Sequence, residues 1–202
     1  MKIYGLEFPH ILAIVWAVVF VWLGVDPVNR AVWVVEVTPL LAVFAALVWT
    51  FKRFRFSDTA YALMAVWLFL HTVGGHYTFE HVPFGFVSDL FGWERNHFDR
   101  VGHFSIGFYA YPLMEWLRRK NYAGMVQASF MGLFFIMSVA ALYEIIEWWY
   151  AAAEGGADGL AFLGSQGDIW DAQKDMLMDT LGAMSAIALF WIVRPDRQKK
   201  SA

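Results

Sequence analysis

Residues 125–150 read MVQASFMGLFFIMSVAALYEIIEWWY, and the first nineteen of them carry no charge. A bilayer core needs about 20 mostly apolar residues per helix, so this stretch predicts a transmembrane helix. Runs of similar character occupy residues 8–25, 31–51, 59–77, 99–117 and 175–193. The 202 residues are 59% apolar and 16% charged, with a mean hydropathy of +0.48. Soluble domains lie near about 45–50% apolar and about 25% charged. The expected fold is therefore all-α: a single transmembrane helical domain over residues 1–202, an integral bundle of about six spans. Residues 8–25 lack a clean small-residue cleavage site and read as a retained helix rather than a signal peptide. A net charge of −3, without a basic stripe, argues against a nucleic-acid partner. Cysteine is absent, which excludes disulfides, thiolate metal sites and cysteine nucleophiles.

The basic residues give an orientation. Lys2, Lys52, Arg53, Arg55, Arg118, Arg119, Lys120, Arg194, Arg197, Lys199 and Lys200 fall on one side, against Arg30, Arg95, Arg100 and Lys174 on the other. By the positive-inside rule both termini are expected in the cytoplasm. The chain then reads as a multi-pass protein of the bacterial inner (cytoplasmic) membrane, in contact with membrane lipids. Connections 78–98 and 151–174 fall outside, the second carrying a flexible loop at 154–159, EGGADG.

Ionisable residues within spans are costly, and here they gather toward one end. The third span runs outward through His71 and His76, and the fourth enters at Asp99 and His103. The fifth leaves through Glu144 and Glu147, and the sixth enters past Asp171, Asp175 and Asp179. Topology places these side chains at one depth, as an acidic and imidazole pocket in the outer half of the bundle. Asp99 and His103 share a helix face, as do Glu144 and Glu147, and Asp171, Asp175 and Asp179 form one stripe. Such carboxylates repel one another in low dielectric. A divalent cation, protonation, or pairing with Arg95, Arg100 and Lys174 would relieve that repulsion.

Plainer readings stand beside these. Asp168 and Asp171 suit a solvated helix N-terminus, His71 a hydrogen-bonded core, and His76 and His81 the headgroup region. Glu115 reads as an inner-face ion pair with Arg118 and Arg119. Glu36, near the outer start of its span, is within reach of Arg30 or the pocket. Gly102, Gly107, Gly132 and Gly182 read as close-packing positions. Trp93, Trp148, Trp149 and Trp170 read as an outer aromatic belt, and Trp116 and Trp191 as an inner one.

The leading functional expectation is a divalent-metal site (Zn²⁺, Mn²⁺ or Mg²⁺) of an enzyme, a hydrolase or transferase acting on a lipid or lipid-linked substrate. Asp99, His103, Glu144, Asp171, Asp175, Asp179, His71 and His76 are the candidate ligands. Asp99 and His103 also count as candidate catalytic residues, and Glu147 as the general base. The alternatives are a small-cation or proton carrier, and a non-catalytic membrane protein whose polar network is structural.

Three motifs carry a family resemblance. Asp99-Arg100-Val101-Gly102-His103-Phe104, Glu144-Ile145-Ile146-Glu147 and Asp175-Met176-Leu177-Met178-Asp179-Thr180-Leu181-Gly182 together resemble the VanZ-like membrane proteins. That pattern runs Asp-Lys/Arg-x-x-His-Phe, Glu-x-x-Gln and Asp-x-x-x-Asn-x-x-Gly. Glu147 stands here where the pattern has Gln, and Asp179 where it has Asn, so this pocket is more acidic. A closer resemblance is to the YjdF-type inner-membrane proteins. It rests on residues 95–103, 143–148 and 168–176, and it implies a bacterial inner-membrane helical protein.

Overall fold

In the computed structural model residues 2–3 and 6–197 are described, with side chains from Leu6 onward; Lys199 and Lys200 lie outside the described residues. The chain is helical apart from a ribbon at its start. There β1 (Lys2–Ile3) pairs antiparallel with β2 (Leu6–Glu7), Lys2 opposite Glu7 and Ile3 opposite Leu6. The fold is all-helical as expected, and strands of two residues are too short to show a period in sequence.

Helices α1 (Phe8–Leu23), α2 (Arg30–Phe51), α3 (Asp58–Tyr77) and α4 (Gly85–Phe91) come first. Then follow α5 (Phe98–Ile106), a 3-10 turn (Gly107–Tyr109), α6 (Ala110–Arg119), α7 (Met125–Glu154), α8 (Gly156–Leu163) and α9 (Asp171–Val193). By length and composition α2, α7 and α9 are long and apolar enough to cross a membrane, and α1 is a shorter apolar helix. The expected fourth span is not one helix, because the 3-10 turn divides α5 from α6. Pro112 sits in the first turn of α6 and has no N–H to return to the Phe108 carbonyl, so the ladder is already broken there.

Local chemistry fixes the helix ends. Asn29 caps α2 by accepting from the Ala31 and Val32 amides. Ser57 caps α3 by accepting from the Ala60 amide, and it also donates from Oγ to Glu115. The expected Glu115 pair forms with Arg119, at 2.6 Å, whereas Arg118 turns to Asp196. Glu115 is thus a fully buried clamp between α3 and α6 rather than a surface pair.

The core is continuous from α3 through α6 and α7 to α9, around Tyr61, Met64, Tyr111, Met114, Ile136 and Phe190. A second cluster of Trp16, Val37, Leu40, Trp67 and Leu68 joins α1 and α2 to α3. Backbone contact between α5 and α9 positions the site. A Cβ on Gly182 would overlap the Phe104 carbonyl, and one on Gly107 would overlap the Asp179 carbonyl and the Ala183 amide. Only hydrogen at both positions lets the two helices touch.

Candidate metal centre

The α5–α9 contact brings two polar stripes face to face. On α5, Asp99 and His103 lie one turn apart; on α9, Asp171, Asp175 and Asp179 follow at the same spacing. His103 Nδ1 lies 3.1 Å from Asp179 Oδ2, and His103 Nε2 lies 3.6 Å from Asp99 Oδ1. A neutral imidazole carries one N–H. Placed on Nδ1, it donates to Asp179 and leaves the Nε2 lone pair free on the Asp99 side. Asp99, His103 and Asp175 each offer one ligand atom, all within 4.8 Å of one another. Asp175 and Asp179 are buried. Asp175 Oδ1, Asp179 Oδ1 and Glu144 Oε1 are buried without a hydrogen-bond partner among the described residues. Glu144 lies on α7 three residues before Glu147 of the cavity wall.

Asp171, a sequence candidate for ligation, is engaged otherwise. Arg95 Nη2 lies 2.6 Å and Arg100 Nη2 2.8 Å from its Oδ1. Two guanidiniums on one oxygen offset its charge, so Asp171 has less need of a metal than its neighbours. Arg100 also reaches Asp168 at 2.9 Å, and Lys174 reaches the same oxygen at 2.6 Å. Hydrogen bonds from Lys174 and Arg100 hold the Asp168 carboxyl well below the usual carboxylate range. Burial, then Arg100 and Arg95, push the nearby His97 imidazole below its ordinary value. The Asp168–Asp171 end of the stripe is therefore an ion-paired rim, and the Asp175–Asp179 end keeps the oxygens without hydrogen bonds.

A cavity of about 150 Å³ opens beside this centre, lined by Asp99, His103 and Asp179 and, from α7, by Tyr143 and Glu147. The opposite wall carries Glu36 and His71. His71 Nε2 lies 2.9 Å from the Glu36 carbonyl and 3.3 Å from Glu36 Oε2, and the Tyr143 hydroxyl donates to that carboxylate at 3.3 Å. His71 is thus in the cavity but held to α2, away from the Asp99–His103–Asp175 group. His76 lies outside the site: its Nδ1 donates to the Leu23 carbonyl at 2.6 Å and closes the end of α1. Of the two readings the sequence left open for Glu36, the pocket is the one the structure shows, and Tyr143 is the member that the sequence reading did not place. The signal available for Glu36 was a lone acid two turns inside an apolar helix. It turns to His71, not to Arg30, which donates to the Gly24 and Val25 carbonyls.

The expected loop at 154–159 is instead the end of α7, a turn at Gly155 with φ 67°, and the start of α8. Asp158 is tied to Asn29 at 2.6 Å. Ala161, Phe162, Leu163 and Gly164 then roof the cavity. The roof is fastened to the rim, since Arg95 donates to the Gly164 and Ser165 carbonyls.

No solved structure matches the chain. The inner membrane protein YjdF of Escherichia coli (strain K12) is 36% identical over 179 residues, covering 87% of this chain and 85% of that protein. Residues 8–196 match the family described as "Predicted membrane protein (DUF2238)". With its apolar helices, the chain is accordingly an integral protein of the inner membrane, and it belongs to the DUF2238 family of membrane proteins.

Proposed function

We propose that this chain is a divalent-cation-dependent membrane enzyme acting on a lipid or lipid-linked substrate, with its centre at the outer ends of a six-span bundle whose termini are cytoplasmic. The observation that carries this is the set of buried carboxylate oxygens that make no hydrogen bond: Glu144 Oε1, Asp179 Oδ1 beside His103, and Asp175 Oδ1, which only Arg100 Nε approaches, at 3.5 Å. Buried polar atoms are rarely left unpaired, and Asp99, His103 and Asp175, with ligand atoms within 4.8 Å of one another, are spaced to share a cation. Asp99, His103 and Asp175 are the proposed ligands, with Glu144 completing the shell. Asp179 orients His103, the common role of a carboxylate behind a metal-bound histidine. Mostly oxygen donors with one imidazole suit Mn²⁺, Mg²⁺ or Zn²⁺.

A bound cation would polarise a phosphoryl or carbonyl oxygen. Glu147, on the cavity wall, would take a proton from the attacking water as its oxygen bonds to phosphorus or carbon. It would return that proton to the departing oxygen. The wider likeness to VanZ-like proteins is part of the same proposal. The inner wall of the cavity is Val43, Trp67, Ile106, Ile136 and Val139, which offers no polar path for a carrier. The test is elemental analysis of the purified protein with Mn²⁺ and Zn²⁺ titration. About one ion per chain is expected. If Asp175→Ala and Glu144→Ala bind as the parent does, the reading fails and the network is structural.

A further inference from the structure

We propose that the same cavity takes an aliphatic chain inside the bundle, so that the substrate is an amphiphile with a single tail threaded between α2, α3, α5 and α7 and an anionic, oxygen-rich head at the acid–histidine centre. This deepens the enzymatic reading and rests on it for the head alone. The polarity of the walls carries the inference. Ile136, Val139, Ala140, Tyr143 and Glu147 form one face of α7, apolar toward the middle of the helix and polar toward its outer end. The neighbours repeat the gradient: Glu36 then Pro39 and Val43 on α2, His71 then Trp67 on α3, and His103 then Ile106 on α5. Four helices thus turn from polar to apolar in the same direction. Along α7 the change spans three turns, about 16 Å.

An apolar hole is poorly filled by water, and a small polar substrate would leave this one empty. Phe162 and Leu163 roof the space above, and the Phe79 ring packs edge-on to His71 at 5.2 Å beside it. The space is lined by side chains of four helices and is open in part at its edge, where Val139 is exposed. A tail with a head of opposite polarity matches it along its whole length.

The experiment uses the full chain in phosphatidylethanolamine–phosphatidylglycerol vesicles. The probe is a monoalkyl phosphate carrying a terminal diazirine. Photolysis is expected to label Val43, Trp67, Ile136 and Ala140, with competition by dodecyl phosphate and not by inorganic phosphate. Ala140→Phe and Val43→Phe should each cut labelling by about tenfold, since one ring fills the space a few methylenes need. A parent-like circular dichroism spectrum and melting temperature show that each variant has folded. Labelling confined to the outward residues Phe134, Leu142 and Ile145 overturns the inference even if the ion binds. Internal labelling without ion binding upholds the tail site and sinks the metal reading.

Discussion

His103 is held by Asp179 from the next helix: Nδ1 lies 3.1 Å from Oδ2, and Asp179 is fully buried. The pair fixes both the tilt of the ring and the nitrogen left for a ligand. Asp179→Asn preserves shape and an acceptor oxygen but removes the charge that strengthens the imidazole as a donor to metal. Cation affinity is expected to fall by about 10–100-fold with little change in thermal stability. Isothermal titration with Mn²⁺ and Zn²⁺ checks this. Unchanged affinity would remove Asp179 from the centre.

The pair exists only because α5 and α9 touch. At Gly182 a methyl group would enter the Phe104 carbonyl. Gly182→Ala must push the helices apart, at about 1–3 kcal/mol, the usual cost of overpacking. The loss should appear as a lower melting temperature in detergent, together with weaker cation binding as His103 and Asp179 separate. Gly85→Ala, where an added Cβ meets nothing within 4 Å, should leave both unchanged.

These glycines show what the sequence disclosed and what it withheld. Apolar runs announced the helices because a span must be apolar over its whole length. The i, i+4 spacing of Asp99 with His103 and of Asp175 with Asp179 put each pair on one face. Pairing across helices is a matter of rotation, which no period encodes. So Asp171 read as a possible ligand although Arg95 and Arg100 engage it, and His76 read as a site residue although it caps α1. Glu36 was visible as a buried acid, but its partners His71 and Tyr143 lie 35 and 107 positions away. The division of α5 from α6 was hidden because Gly107 and Pro112 are each tolerable in a membrane helix.

Arg100 bridges Asp168 and Asp171, and its Nε lies 3.5 Å from Asp175. Arg100→Gln leaves this acidic stripe short of one cation. Removing the cation that faces all three carboxylates leaves them to repel one another, so the variant is expected to be less stable than the parent. Arg100→Lys should recover only part of the loss, because an ammonium can replace Nη2 at Asp168 and Asp171 but has no second nitrogen for Asp175, which Arg100 faces through Nε. Chemical denaturation of the three proteins side by side tests the order parent, Lys, Gln.

His97 gives the outer rim a pH response. Burial, Arg100 and Arg95 lower its value from 6.5 in the folded state. As pH falls through 6.5 the unfolded chain takes up the proton first, so stability is whole above that value and is lost toward the lower folded one. His97→Gln removes this contribution. The melting-temperature difference, parent minus variant, should be flat from pH 7 to 8 and decline as pH is lowered to 5. A difference that rises toward acid would mean that the imidazole is stabilised in its charged form instead.

Orientation can be read directly, because the chain has no cysteine and each introduced thiol is the sole label site. Gln166, exposed between α8 and α9, lies on the rim side, and Asn121 lies in the turn between α6 and α7 at the opposite end. In intact cells with a permeabilised outer membrane, a membrane-impermeant maleimide should label Gln166→Cys. Asn121→Cys should react only after the inner membrane is opened. Both sites lie in connections between helices, so the substitutions leave the packed core untouched. The reverse pattern would invert the bundle, move the acid–histidine centre to the cytoplasmic leaflet, and require a substrate reached from inside.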